Sequence, residues 1–445
     1  MKIKQFNDSP LAHYSYAVVS EGKMALIDPS RNPLQYYRYA EEHNAKIVAV
    51  FETHPHADFV SSHLQIHEQT GATIYASKLL GADYEHQGFD DGDSLSMGNV
   101  TFKAINTPGH SPDSITIVAE DGKKTALFTG DTLFIGDVGR PDLREKAGNM
   151  TAKRVDLAKK MYHTMQNKYN GLPDNAIVYP AHGAGSLCGK NMSADSSSTL
   201  GQERKFNWAF REQTEEQFVE TILKDQPFIP HYFGFNVDVN KNGAENVQRT
   251  KAAVKLHLCV ENIENGVTVV DSRDGDAYKK GHLSNSINIM ARGENDKYET
   301  WLGAIIKPEE PFYLVVENVK EIGELLERTA KIGYEKQLKG VITLSHKVSQ
   351  GSDDFDLKDF KKHKDQYTIV DIRNTSEVAE KRIFENAIEI PLNELRERAE
   401  EVPGDKPIVV HCAGGYRSSA GSSILENKFK TTKVYDMSDD IKKFS

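Results

Sequence analysis

Four short strings in the N-terminal half carry side chains that bind metal ions: Thr53-His54-Pro55-His56-Ala57-Asp58, Thr107-Pro108-Gly109-His110, Thr129-Gly130-Asp131 and Pro180-Ala181-His182. Each follows an apolar run rich in β-branched or aromatic residues, namely Ile47–Phe51, Val100–Ile105, Thr125–Phe128 and Ala176–Tyr179, and such runs read as strands. Strands of one sheet that end together would deliver imidazoles and carboxylates to one edge, where ligand sites of α/β sheets gather. Imidazole with carboxylate is donor chemistry for zinc or non-haem iron. A lone His after a strand is ordinarily a surface residue. Four such strings, two with a turn-permitting Gly directly before the donor, point instead to one built metal site.

A second chemistry lies near the C-terminus. Lys406-Pro407-Ile408-Val409-Val410-His411 reads as a buried strand and leads into Cys412-Ala413-Gly414-Gly415-Tyr416-Arg417-Ser418-Ser419. A Cys that opens a Gly-rich loop entering a helix sits where successive backbone N–H groups stabilise a thiolate or a persulfide. Arg417 closes the loop and adds positive charge close to that sulfur. Upstream stand Val370-Asp371-Ile372-Arg373 and Ala387-Ile388-Glu389-Ile390-Pro391-Leu392.

The elements that position these groups fall into three blocks. Residues 1–235 hold the metal strings and end near Pro227-Phe228-Ile229-Pro230, after an amphipathic helix expected over Glu215–Leu223. Asn240-Lys241-Asn242-Gly243 reads as an exposed linker turn, and Ser349-Gln350-Gly351-Ser352-Asp353-Asp354 as a second linker. Residues 245–350 echo the last block: Val267–Arg273 and Gly281–Ile289 repeat its front half, and Pro311–Val316 repeats the strand before the Cys. Glu317 follows where a Cys is expected, and no Gly-rich loop or closing Arg appears, so this middle module reads as inactive. Cys259 precedes its first clear strand and makes a poor nucleophile. Residues 353–445 form the block with Cys412.

Composition narrows the function. A chain of 445 residues suits two or three domains. Its 55 basic and 65 acidic residues give a net charge of −10 without a basic stripe, which speaks against nucleic acid. No apolar run reaches the roughly 18 residues of a membrane span. The N-terminus lacks the apolar core of a signal peptide, and three distant Cys cannot build a disulfide framework. A working thiolate wants a reducing compartment, so a cytoplasmic location is expected.

His54-x-His56-x-Asp58, His110, Asp131 and His182 resemble the metallo-β-lactamase superfamily. Members with two metals continue the first string with a further His, where this chain has Phe59. Segments Gly136–Asp142 and His182–Lys190 resemble the persulfide dioxygenase branch. That resemblance implies one Fe(II) per chain, held by His54, His110 and Asp131, with open positions for O2 and sulfur. It places His56, Asp58 and His182 around the ligands and makes Arg140 the candidate for substrate contact. Cys188 lies in the same region with no role assigned. The Cys412 block resembles a rhodanese, a sulfurtransferase whose Cys cycles between thiol and persulfide. Cysteine phosphatases space the pair as Cys-x5-Arg, and this loop, Cys-x4-Arg, is one residue shorter.

The whole arrangement resembles the persulfide dioxygenase–sulfurtransferase fusions of the CstB type. It implies an α/β chain: a metallo-β-lactamase αββα sandwich followed by two rhodanese-like α/β domains, the first inactive. The implied reaction is oxidation of small thiol persulfides by O2 to sulfite, with sulfur transfer to sulfite at Cys412 by the catalytic pair Cys412 and Arg417. The resemblance also implies a homo-oligomer. The rival reading is a metal-dependent thioester hydrolase of the glyoxalase II kind.

Overall fold

The structure, a computed structural model, describes residues 1–143, 153–257, 263–344 and 351–444. Cys259, and Ser349-Gln350 of the expected second linker, lie outside the described residues. The chain divides into two compact units, Met1–Thr250 with Ala330–Gly333, and Lys251–Thr329 with Tyr334–Ser445.

The first unit packs two six-stranded sheets face to face. One runs in chain order: β1 (Lys2–Asp8), β2 (His13–Ser20), β3 (Lys23–Ile27), β4 (Lys46–Phe51), β5 (Thr73–Ala76) and β6 (Gln87–Gly88). The other runs in reverse from β12 (Ser198–Thr199) through β11 (Ile177–Pro180), β10 (Thr125–Gly130), β9 (Ile115–Glu120) and β8 (Val100–Asn106) to β7 (Ser94–Met97). Side-chain alternation with period two explains the layers. Tyr16, Val18, Ala49 and Phe51 meet Phe102, Ile117, Ala126 and Phe128 between the sheets. Their neighbours Ala17, Ile47 and Val50 face outward against Tyr36, Tyr39 and Ile66 of helices Leu34–Glu42 and His63–Thr70. Val118, Leu127 and Val178 likewise meet Met161, Phe218 and Ile222 of helices Arg154–His163 and Glu215–Leu223. The result is an αββα sandwich. The expected helix over 215–223 is present, with Thr214 and Gln217 forming its capping box.

The expected linker turn at 240–243 is a correction. Tyr232–Asn242 is a helix that buries Asn240 and Lys241. The Asn-Lys-Asn-Gly composition suggests a solvated turn, but Asn240 has backbone groups to satisfy inside the unit. Only Gly243, at φ +86°, keeps the character of a helix stop.

The second unit contains two parallel sheets of one design. The first has the order β13 (Leu256–His257), β17 (Leu338–Thr343), β16 (Phe312–Val316), β14 (Thr268–Asp271), β15 (Ser286–Asn288). The second has the order β21 (Val434–Asp436), β20 (Ile408–His411), β18 (Thr368–Asp371), β19 (Ile388–Glu389). Strand register superimposes them. Asp271 pairs with Val315 where Asp371 pairs with His411, and both Asp residues hold an Arg two positions on, Arg273 and Arg373. The residue after His411 is Cys412, so its counterpart is buried Val316, one position before the expected Glu317. No helix among the described residues is long and apolar enough to cross a membrane.

Candidate active sites

The four metal-donor strings converge at the C-terminal ends of β4, β8, β10 and β11, as their positions after strands require. Ligand atoms of His54, His110 and Asp131 lie within 4.8 Å of one another, all three residues buried. Each imidazole is aimed through its far nitrogen. His54 Nδ1–H donates to Thr53 Oγ1 at 3.0 Å, and Thr53 donates in turn to Asp28 at 2.8 Å. His110 Nδ1–H donates to the Arg140 carbonyl at 2.8 Å, and His182 Nδ1–H to the Ala12 carbonyl at 3.2 Å. Fixing Nδ1 as the donor turns each Nε2 lone pair inward.

Those Nε2 atoms surround the Asp131 carboxylate, His110 at 3.5 Å, His182 at 3.5 Å and His54 at 3.8 Å. Among the described residues neither oxygen of Asp131 has a hydrogen-bond donor, although the side chain is buried. A buried, unsatisfied carboxylate is costly, and a cation among these donors would compensate it. Two ligands about 2.1 Å from one ion stand roughly 3–4.2 Å apart, a range that contains all three separations. The donor set therefore fits a metal ion. Turn chemistry makes the cluster possible: Gly130 holds φ +52°, and a Cβ there would strike the Thr53 side chain.

The neighbouring groups divide. His182 Nε2 also lies 3.3 Å from Asp58 Oδ2, which places Asp58 beside the cluster. His56 directs its Nε2 at Asp28, 3.1 Å away, and Glu52, 3.6 Å away, and also offers a ligand atom within 4.8 Å of those of Asp58 and His182. Burial favours neutral His56, but the Asp28 charge and hydrogen bond, with Glu52, outweigh it and raise its pKa to about 9. Phe59 fills the position of the extra His, its ring centre 3.9 Å from that of His13 and tilted by 34°. Arg140 stands beside the donor cluster with its side chain engaged. It is buried, donates to both oxygens of Asp142 and to the Leu187 carbonyl, and reaches the donor cluster through its own carbonyl on His110. Cys188 brings its thiol within 4.8 Å of ligand atoms of Asp131 and His182; burial, then Asp58 and Asp131, push that thiol's pKa up.

Two residues of this site escape a reading of motifs. Asp28 anchors both Thr53 and His56. Asn240 donates to the carbonyls of His56 and Phe59 and accepts from the Ser61 N–H, each at 2.8 Å. Its partners lie more than 170 residues away, beyond any local signature.

In the second unit Cys412 is buried and free, at the end of β20. The Gly415 N–H points at its Sγ, 3.2 Å away, and Gly415 at φ +92° starts helix Tyr416–Lys428. Arg417 forms a two-pronged pair with Glu377, 2.6 and 2.7 Å. Burial pushes the Glu377 carboxyl up, yet the Arg417 hydrogen bonds and charge prevail and hold it below the ordinary value. Glu377 was traceable only as the third member of an Asn374-x-x-Glu377 capping box.

Comparisons with known proteins agree with this architecture. The metallo-β-lactamase superfamily model matches residues 8–182, and the rhodanese-like domain model matches residues 257–341 and 356–445. The chain belongs to the metallo-β-lactamase superfamily, in a form fused to rhodanese-like domains. Its relatives include the mitochondrial persulfide dioxygenase ETHE1 of Bos taurus, 30% identical over 217 residues, 48% of this chain and 77% of that protein. A hydroxyacylglutathione hydrolase of Dictyostelium discoideum is 30% identical over 216 residues, 46% of this chain and 74% of that protein. Among solved structures, a metallo-β-lactamase from Staphylococcus aureus subsp. aureus COL has a TM-score of 0.70 and 31% identity. It covers 77% of this chain and 99% of its own.

Proposed function

We propose that this chain oxidises low-molecular-weight thiol persulfides with O2 to sulfite and transfers sulfane sulfur to sulfite at Cys412, giving thiosulfate. The observation that carries the reading is the buried set of two imidazoles and one carboxylate, His54, His110 and Asp131, with Phe59 where a second metal would need a His. This is a facial-triad donor set, suited to a single Fe(II) with open positions. When bound there, iron supplies the activation of O2 and sulfur, and the protein supplies orientation. Persulfide dioxygenase relatives and the rhodanese-like match support the pairing of the two chemistries.

Thr53, the Arg140 carbonyl and the Ala12 carbonyl hold their imidazoles in one tautomer, so no ring has to reorient. In balance, R-S-SH, O2 and water give R-SH, sulfite and two protons. Cys412 takes the outer sulfur of a second R-S-SH, releasing R-SH, and sulfite then attacks that outer sulfur. The S–S bond breaks, thiosulfate leaves, and Cys412 departs as a thiolate facing the Gly415 N–H. In this reading residues 1–235 carry the oxygenase, 245–350 the inactive module and 353–445 the sulfurtransferase. A cytoplasmic homo-oligomer belongs to the same proposal.

The hydroxyacylglutathione hydrolase relative favours a second reading, metal-dependent thioester hydrolysis, which leaves Cys412 without a task. Supplying glutathione persulfide or a hydroxyacylglutathione to iron-loaded protein separates the two. Oxygen uptake with sulfite and thiosulfate is the expected outcome. Thioester cleavage without persulfide-dependent uptake would replace the proposal.

A further inference from the structure

The middle module has Val316 where the last module has Cys412, yet its side chains and carbonyls reach the loop that holds that Cys. Trp301, buried in helix Tyr298–Ile305, lies with its ring centre 6.0 Å from the Arg417 guanidinium carbon. Glu377 takes both terminal nitrogens of the same guanidinium, so Arg417 is held by a carboxylate of its own module and a π face of the other. The next residue back, Tyr416, donates its hydroxyl to the Met290 carbonyl at 2.8 Å. Asn288 fastens the helix behind them: its N–H donates to Ser423 Oγ, and its side-chain oxygen accepts from Ser419. The amide of Asn288 donates to the carbonyls of Asp271 and Arg273, 2.9 Å each, which roots this clamp in the inactive module's central strand and the turn after it.

We infer that the inactive module positions the Cys412 loop, with Trp301 as the residue that seats Arg417. The inference rests on the sulfurtransferase reading of Cys412. Gly415 lies between the sulfur and the two gripped residues, at φ +92°, and its N–H is the one aimed at Sγ. Gripping Tyr416 and Arg417 fixes that peptide and keeps a positive charge beside the path of an anionic sulfur donor or acceptor. Without the indole face, Arg417 keeps Glu377 but gains freedom to leave the sulfur. A cation–π contact of this kind corresponds to roughly a two- to fivefold effect.

The test uses the full-length, iron-loaded protein and two readouts. One is the ratio of Cys412 alkylation rates by iodoacetate, an anion, and iodoacetamide, which is neutral. The other is sulfur transfer from thiosulfate to cyanide. Trp301→Ala should lower the alkylation ratio about threefold and raise KM for thiosulfate by a similar factor, with kcat changed less. Trp301→Phe, which restores a ring, should recover both. If Trp301→Ala does not fold, Tyr416→Phe decides, because it removes only one hydroxyl and should also lower the ratio. An unchanged ratio in the folded variant, failure of Trp301→Phe to recover it, or a parallel fall with both reagents would overturn the positioning role. Absence of sulfur transfer in the unsubstituted protein would instead remove the sulfurtransferase reading, while the alkylation ratio still reports on Trp301.

Discussion

Replacing Asn240 should destabilise the metal-site loop more than any surface substitution. Its side chain serves three backbone groups, the carbonyls of His56 and Phe59 and the N–H of Ser61, each at 2.8 Å and away from water. Asn240→Ala removes every partner while leaving the three groups buried. At about 1–3 kcal/mol for each unsatisfied group, and allowing for partial rearrangement, the loss should be about 3–5 kcal/mol. For a domain of this size it lowers the melting temperature by roughly 6–20 °C. Asn240→Asp keeps an acceptor for Ser61 but faces two carbonyls with a carboxylate, so it should recover little at neutral pH and more as the acid protonates. Differential scanning calorimetry, following the transition that shifts with added metal, reads both variants, and metal retention should fall with stability. A loss below about 1 kcal/mol with full metal retention would refute the claim that Asn240 clamps this loop.

Other consequences follow from the same geometry. Glu377→Gln removes the charge paired with Arg417 and should cost about 1–2 kcal/mol, discounted for the partial exposure of the pair. Because Glu377 has a depressed value when folded, its contribution is present above the ordinary carboxyl range and fades as pH falls through the folded value; an acid titration of stability should flatten in the variant. Cys412→Ser should leave persulfide-dependent O2 uptake within about twofold while the product shifts from thiosulfate to sulfite; parallel loss of uptake would show that the two steps are not separate. Phe59→His, beside His56, should raise metal content above that of the unsubstituted protein, as elemental analysis would show.

The grouping of His54, His110, Asp131 and His182 was legible because each follows a strand whose apolar run is visible in the sequence, and strand ends share an edge. The Gly-rich entry to a helix made Cys412 legible in the same way. What the sequence hides is pairing across the fold. Asn240 and Glu377 look like ordinary polar residues in a turn and a helix, and only tertiary hydrogen bonds distinguish them. Arg140 carries a substrate-binding expectation by resemblance, while Asp142, two residues on, occupies its guanidinium. The middle module shows the limit on register: Pro311–Val316 is plainly a strand, but the ladder with Asp271 alone reveals that Val316, and not Glu317, stands where the nucleophile would be.

The central claim, a single-iron persulfide oxygenase, meets its most direct test in one combined measurement. Metal content and O2 uptake are followed on the same anaerobically iron-loaded sample as glutathione persulfide is added. The account predicts about one iron per chain, with one O2 consumed for every two persulfides that end as thiosulfate and one for one in Cys412→Ser, and both metal and uptake lost together in Asp131→Ala. Two zinc ions per chain in the native protein, with no O2 uptake from the iron-loaded form, would contradict it.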